Sequence, residues 1–138
     1  MKNEVVLDFC IWGFEDITPD EITQMIGIQP IKIYIKGEKK NSKFSALEKQ
    51  NGWRMGSTLD QNASFEDQMN AMLDIIESKI DLFKSLCEKY YCEFSCALFI
   101  RYNHDESTPW IHLNSRYNRI IKVLNIEFDV DIYCLPNE

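Results

Sequence analysis

Two histidines, five cysteines and a row of carboxylates are the residues of this chain best suited to chemistry. A serine or cysteine nucleophile needs a base beside it and a third group to orient that base. Only His104 and His112 offer an imidazole. His104-Asp105-Glu106 reads as a solvated turn. His112 stands between Ile111 and Leu113, with Trp110 close by and a helix start following. It could bind a ligand or act as a base, although packing or helix capping is the simpler role. A cleft near His112, Trp110 and Trp53 is the candidate ligand site. No catalytic set assembles from these residues, so the sequence leans away from an enzyme.

The cysteines are Cys10, Cys87, Cys92, Cys96 and Cys134, an odd number that reads as free thiols. Cys92 and Cys96 sit four apart on a predicted strand, which sets their Cα atoms ~13 Å apart on one face. A zinc ion needs each sulfur within ~2.3 Å, so these two cannot share one. With only two histidines, a histidine-based metal site is not expected either. The carboxylates are better ordered. Glu127, Asp129 and Asp131 alternate along the last predicted strand, with neighbours ~6.6 Å apart on one side. If the first and last strands are adjacent, Asp8 extends the row. These four are the candidate protein-binding residues. The simpler reading is a wet strand face that discourages aggregation.

Net charge is −7 and unevenly spread. Residues 31–55 carry seven basic and two acidic side chains, a net of +5, which leaves −12 for the rest. Such asymmetry can steer a partner. Tyr34, Phe44 and Trp53 lie within the basic stretch, and aromatics in a cationic groove suit single-stranded nucleic acid. The overall negative charge argues against that use, because phosphate neutralisation dominates such binding. The five glycines are dispersed and form no phosphate loop, so no cofactor is expected. Asp8 interrupts the apolar N-terminal run, and no cleavage site follows it. No stretch approaches the ~18 apolar residues of a membrane span. The cytoplasm is the expected location.

The elements that must position these residues follow from periodicity. Residues 4–12 alternate as a strand. Thr18-Pro19-Asp20-Glu21 opens a helix with a capping box and an early proline, and Gly27 closes it. Ile31, Ile33 and Ile35 alternate with Lys32, Tyr34 and Lys36 as a second strand; 37–43 is a polar turn, and a third strand lies around 50–56. After a loop at 57–63, Ser64 caps one long helix. Phe65, Met69, Met72, Leu73, Ile76, Ile80, Phe83, Cys87 and Tyr90 advance along it by threes and fours. It should run roughly 39 Å at ~1.5 Å per residue. Cys92 to Ile100 is a strand, 103–108 a turn, and 109–113 a short extended piece. Asn114 or Ser115 caps a last helix, which Asn125 stops. The closing strand should bury Ile126, Phe128, Val130, Ile132 and Cys134, with Glu127, Asp129, Asp131 and Tyr133 outward. Strand, capped helix and strand recur at 9–35 and 94–133, a weak internal echo.

Several of these segments, in this order, resemble the bacterial domain-of-unknown-function 4279 family over nearly the whole chain. They are Thr18-Pro19-Asp20-Glu21-Ile22 after the first strand, Gly27-Ile28-Gln29-Pro30, Lys36-Gly37, and Trp53. The long helix, His112-Leu113-Asn114-Ser115, and Asp129-Val130-Asp131-Ile132-Tyr133 complete the set. The resemblance implies a shared fold and no particular activity.

The expected architecture is a single α+β domain over residues 1–138. A largely antiparallel sheet packs on one long and two shorter helices, in the order β-α-β-β-α-β-(β)-α-β, whose first six elements are ferredoxin-like. A hydrophobic content of 45% and a length of 138 residues suffice for one core without a disulfide or metal. The leading functional expectation is a non-catalytic protein-binding module. Its sharpest version is an immunity-type inhibitor whose acidic surface meets a basic toxin. The alternative is a small-molecule-binding domain or minor enzyme near His112. Homodimerisation through a sheet edge could accompany either.

Overall fold

The capping signals act as local chemistry demands. In the computed structural model, which describes residues 2–41, 44–102 and 107–136, strand β1 (Glu4–Trp12) leads into helix α1 (Pro19–Ile26). The Thr18 hydroxyl accepts from the Glu21 amide, and the Glu21 carboxylate accepts from the Thr18 amide, so two orphan donors are satisfied reciprocally. Gly27 ends the helix at φ +80°, a conformation that side chains disfavour. The expected turn holding His104, together with Lys43 and the side chain of Phe44, falls outside the described residues.

Next come β2 (Lys32–Tyr34), β3 (Lys39–Asn41), β4 (Phe44–Leu47) and β5 (Gly52–Gly56). Within the polar turn expected at 37–43, Lys39–Asn41 form β3 instead, which pairs with β4 in a small sheet of its own. Helices α2 (Phe65–Ser78) and α3 (Ile80–Lys89) stand where one long helix is expected. Lys79 leaves helical geometry at φ −138° and ψ 47°, while the apolar stripe continues across the break. Its ammonium donates to the Met25 carbonyl at 3.0 Å, near the end of α1. The long helix is thus interrupted at Lys79, and the described residues hold four helices rather than three. Strand β6 (Tyr91–Tyr102), helix α4 (Ser115–Ile121) and strand β7 (Glu127–Pro136) complete the chain. Asn114 caps α4, but the helix stops well before Asn125, and no strand forms at 109–113.

The chain is α+β, with a mostly antiparallel mixed sheet ordered β2-β5-β1-β6-β7. Only β6 and β7 run parallel. Both β1 and β2 are antiparallel to β5, so β1-α1-β2 is a parallel unit with β5 inserted. The second parallel unit, β6-α4-β7, has adjacent strands. The first unit, split by β5 and flanked by β6, is arranged as in the expected ferredoxin-like pattern, while the β3–β4 hairpin and the break at Lys79 depart from the expected order. The second unit gives the internal echo a structural counterpart.

One face of the sheet carries Leu7, Phe9, Ile11, Trp53, Met55, Phe94 and Cys96, all buried under the helices. Phe9 meets Phe83 and Phe94 edge-on, at ring separations of 5.5 and 5.8 Å. Gln68 is buried within the α2 stripe, and it has partners. Its amide donates to the Val5 carbonyl at 2.7 Å and accepts from the Leu7 amide at 3.2 Å, tying helix to sheet. The closing strand corrects an expectation. Ile126 is buried, but Val130 is 40% and Ile132 62% exposed, and Cys134 is exposed as well. The helices cover β1, β5, β6 and the start of β7, where Phe128 meets Phe65 of α2 and Tyr117 of α4 edge-on, and they leave Val130 and Ile132 exposed.

All five cysteines are free, and only Cys134 is exposed. Burial pushes the Cys10 thiol up to about 12 and the Cys96 thiol up to about 11. A disulfide-exchange reagent should therefore label one thiol at once in the native protein, and all five after denaturation. Rapid labelling of a second native thiol would contradict this packing.

Candidate functional site

The helix-free face of the sheet collects the chemistry-bearing residues, because strand alternation sends the partners of the core residues there. Register sets two rows across it. One runs Lys32, Arg54, Cys10, Glu93, Glu127; the next runs Gly56, Asp8, Ser95, Asp129. Asp8 therefore does not adjoin the β7 carboxylates, as β6 lies between. It does share their face, and Ser95 separates it from Asp129.

Asp8 is buried, and its carboxylate accepts from Arg54 Nη1 at 2.8 Å. Arg54 Nε also donates to the Tyr34 hydroxyl, at 3.2 Å. Burial raises the Asp8 pKa, and the Arg54 guanidinium pulls it back only in part. Gly52 allows Trp12 and Tyr34 to meet over the backbone. Their ring centres are 4.8 Å apart, and a Cβ on Gly52 would collide with the Trp12 ring.

Toward β7 the face becomes acidic and aromatic. Glu93 accepts from the Trp12 indole at 2.9 Å. Burial raises its pKa, and a hydrogen bond shared with Asp129 raises it further. Glu127, Asp129 and Asp131 are exposed, with exposed Tyr91 and Tyr133 on the same face. The Tyr133 ring stacks on Phe99 at 5.1 Å. A hollow of about 420 Å³ opens among Val6, Asp8, Arg54, Ser95, Ala97 and Arg101. Arg101 Nη2 is 3.9 Å from Glu4, and its buried Nε has no hydrogen-bond partner among the described residues.

A family model described as a domain of unknown function, DUF4279, matches residues 3–135, from just before β1 to near the end of β7. The chain belongs to this family. No curated protein matches it. No solved structure matches it.

In this DUF4279 domain the proposed ligand trio does not assemble. Trp53 is fully buried on the helix side of β5, where its indole donates to the Thr23 hydroxyl of α1 at 3.0 Å. It cannot line an open cleft. Trp110 and His112 do meet, stacked at 5.0 Å and nearly parallel, and both are exposed. A smaller hollow of about 180 Å³ lies beside Trp110, lined also by Asn3, Val5 and Phe65. Among the described residues, no group of three or more His, Cys, Asp or Glu is placed to hold a metal ion. Among the same residues, no helix is long and apolar enough to cross a membrane.

Sequence reasoning missed Glu93, Arg54 and Arg101. The first could have been found by parity, since Glu93, Ser95 and Ala97 alternate with buried Cys92, Phe94 and Cys96. The Arg54–Asp8 pair depends on β1 lying beside β5, which periodicity does not encode.

Proposed function

We propose that this domain is a non-catalytic protein-binding module that docks a basic partner on the helix-free face of its sheet. One observation carries the reading. Glu127, Asp129 and Asp131 stand exposed in a row, with exposed Tyr91 and Tyr133 on the same face. Carboxylates steer a basic protein in solution, and aromatic rings supply contact area once it arrives. Neutralising a basic toxin in a bacterial cytoplasm is the role that this surface suits best.

The triple change Glu127→Gln, Asp129→Asn and Asp131→Asn tests the reading. Association with a basic protein recovered on the tagged domain should slow by about tenfold at low salt, and its salt dependence should flatten. Stability should shift by only a few tenths of a kcal/mol per site, because the positions are exposed. An unchanged rate with an unchanged salt slope would make the row a wet strand face and nothing more.

The alternative, a small-molecule site, draws on the exposed Trp110–His112 stack beside its hollow. A flat ring inserted there should quench tryptophan emission in the native domain and not in Trp110→Leu. Equal quenching in both would remove this reading.

A further inference from the structure

The sheet ends in two unlike edges. The β2 edge is three residues long and carries Lys32 at its start, which is how proteins blunt an edge against unwanted pairing. The β7 edge is ten residues long and pairs on one side only, with β6. Among the described residues, no strand pairs with its other side. Such a strand presents a row of main-chain donors and acceptors ready to take another strand.

Its side chains state what that strand must look like. On the helix side, beyond the Phe128 that α2 and α4 cover, Val130 and Ile132 are exposed. On the other side stand Glu127, Asp129 and Asp131. An added strand lies ~4.8 Å away and sets its side chains directly opposite these. It therefore needs apolar residues at alternate positions and cations between them.

A second copy of β7 fails this test. Pairing two such strands antiparallel would bring one carboxylate row against the other, and like charges opposite each other destabilise a ladder. The net charge of −7 on each copy adds to the repulsion. The chain's own β2 has the right alternation, with Lys32 and Ile33, but it is only three residues long. Lys36, which would prolong its basic row, is already paired with Glu15 at 2.8 Å.

We infer that the outer edge of β7 accepts an extended strand of a partner protein in which lysine or arginine alternates with branched apolar residues. The inference rests on the protein-binding reading and deepens it: the acidic row selects the partner, and the β7 backbone holds it.

A synthetic peptide alternating valine and lysine, about as long as β7, is the probe. A labelled copy should bind the full-length domain, release as salt rises, and slow hydrogen exchange at the amides of Asp129 to Ile132. The same peptide N-methylated at alternate residues keeps its charge but loses the ladder, and should bind at least about tenfold more weakly. A valine–glutamate peptide should not bind. Ile132→Ser, at an exposed position, should fold normally and weaken the parent peptide.

Equal binding of the N-methylated peptide, with no protection of β7, would overturn the edge inference while leaving the acidic face as the docking surface. No binding of the valine–lysine peptide would also overturn it, and the triple carboxylate variant would still decide the broader reading. A concentration-dependent dimer of the domain that Ile132→Ser dissociates would overturn it too, because the occupant would be a second copy.

Discussion

Met72→Asp should cost the domain roughly 3 kcal/mol or more, a large part of the ~5–15 kcal/mol that holds a domain of this size folded. Met72 is fully buried, midway along α2, in the stripe that packs on β1. Aspartate there must either ionise without a partner or hold its proton at a cost, and it fills less volume than methionine. Ile76→Asp, one turn further on and equally buried, should behave alike. The control is Lys84→Asp on the exposed side of α3, where only a few tenths of a kcal/mol are expected. Denaturant midpoints measure all three. Unchanged midpoints for both buried variants would mean that the α2 stripe does not face the sheet.

Arg54→Met should be the other strongly destabilising change, at about 3 kcal/mol near pH 7, because it strands the Asp8 carboxylate. The Asp8 side chain is only 8% exposed, and Arg54 is its ion-pair partner. The effect should depend on pH with a definite sign. Burial already holds the Asp8 pKa above its ordinary value in the folded state. The folded protein therefore keeps this proton to higher pH than the unfolded chain does. Stability from Asp8 is greatest below the unfolded pKa and falls as pH rises through the folded one. Losing Arg54 removes the only influences that lower that pKa, so the fall steepens. The deficit of the variant relative to the parent should shrink as pH drops toward about 4, where aspartate protonates. Adding Asp8→Asn to Arg54→Met should recover part of the loss at pH 7, and a double-mutant cycle isolates the pair. A deficit that stays constant from neutral to acid pH would mean that Asp8 never carries the charge that Arg54 offsets.

What the sequence discloses about this fold divides along the range of the interactions involved. The Thr18 capping box, the Gly27 stop, and the Ser64 and Asn114 caps are settled within a few residues, and they appear where the letters put them. The alternation in β6 likewise survives, because that strand is covered on one face along most of its length. Lys79 is different. Nothing nearby marks a break, and the apolar spacing runs straight across it. The break accompanies a contact with Met25, far away in the chain. The last strand shows the same limit. Alternation separates two faces, and it cannot say whether a helix is long enough to cover either, so Val130 and Ile132 read as core and stand in solvent. For the candidate site, parity placed Asp8 on the same face as Asp129, but not next to it. Trp53 could not be assigned to a cleft from its type alone, since a buried indole with a hydroxyl acceptor and an exposed stacking platform look identical in sequence.

The position of β1 bears on how the chain is made. It is the first strand of the domain to be made and the middle strand of the sheet, with Ile11 opposite Trp53 on one side and Val5 opposite Leu98 on the other. At synthesis rates of ~5–20 residues per second, β1 waits roughly 5–20 s for its β6 partner. Through that interval Leu7, Phe9 and Ile11 have no complete sheet to join. The nascent chain is then a natural client for chaperones that shield apolar segments. Because both ladders of β1 close large loops, folding should begin late, and it can finish only after β6 and then α4 and β7 have cleared the exit tunnel.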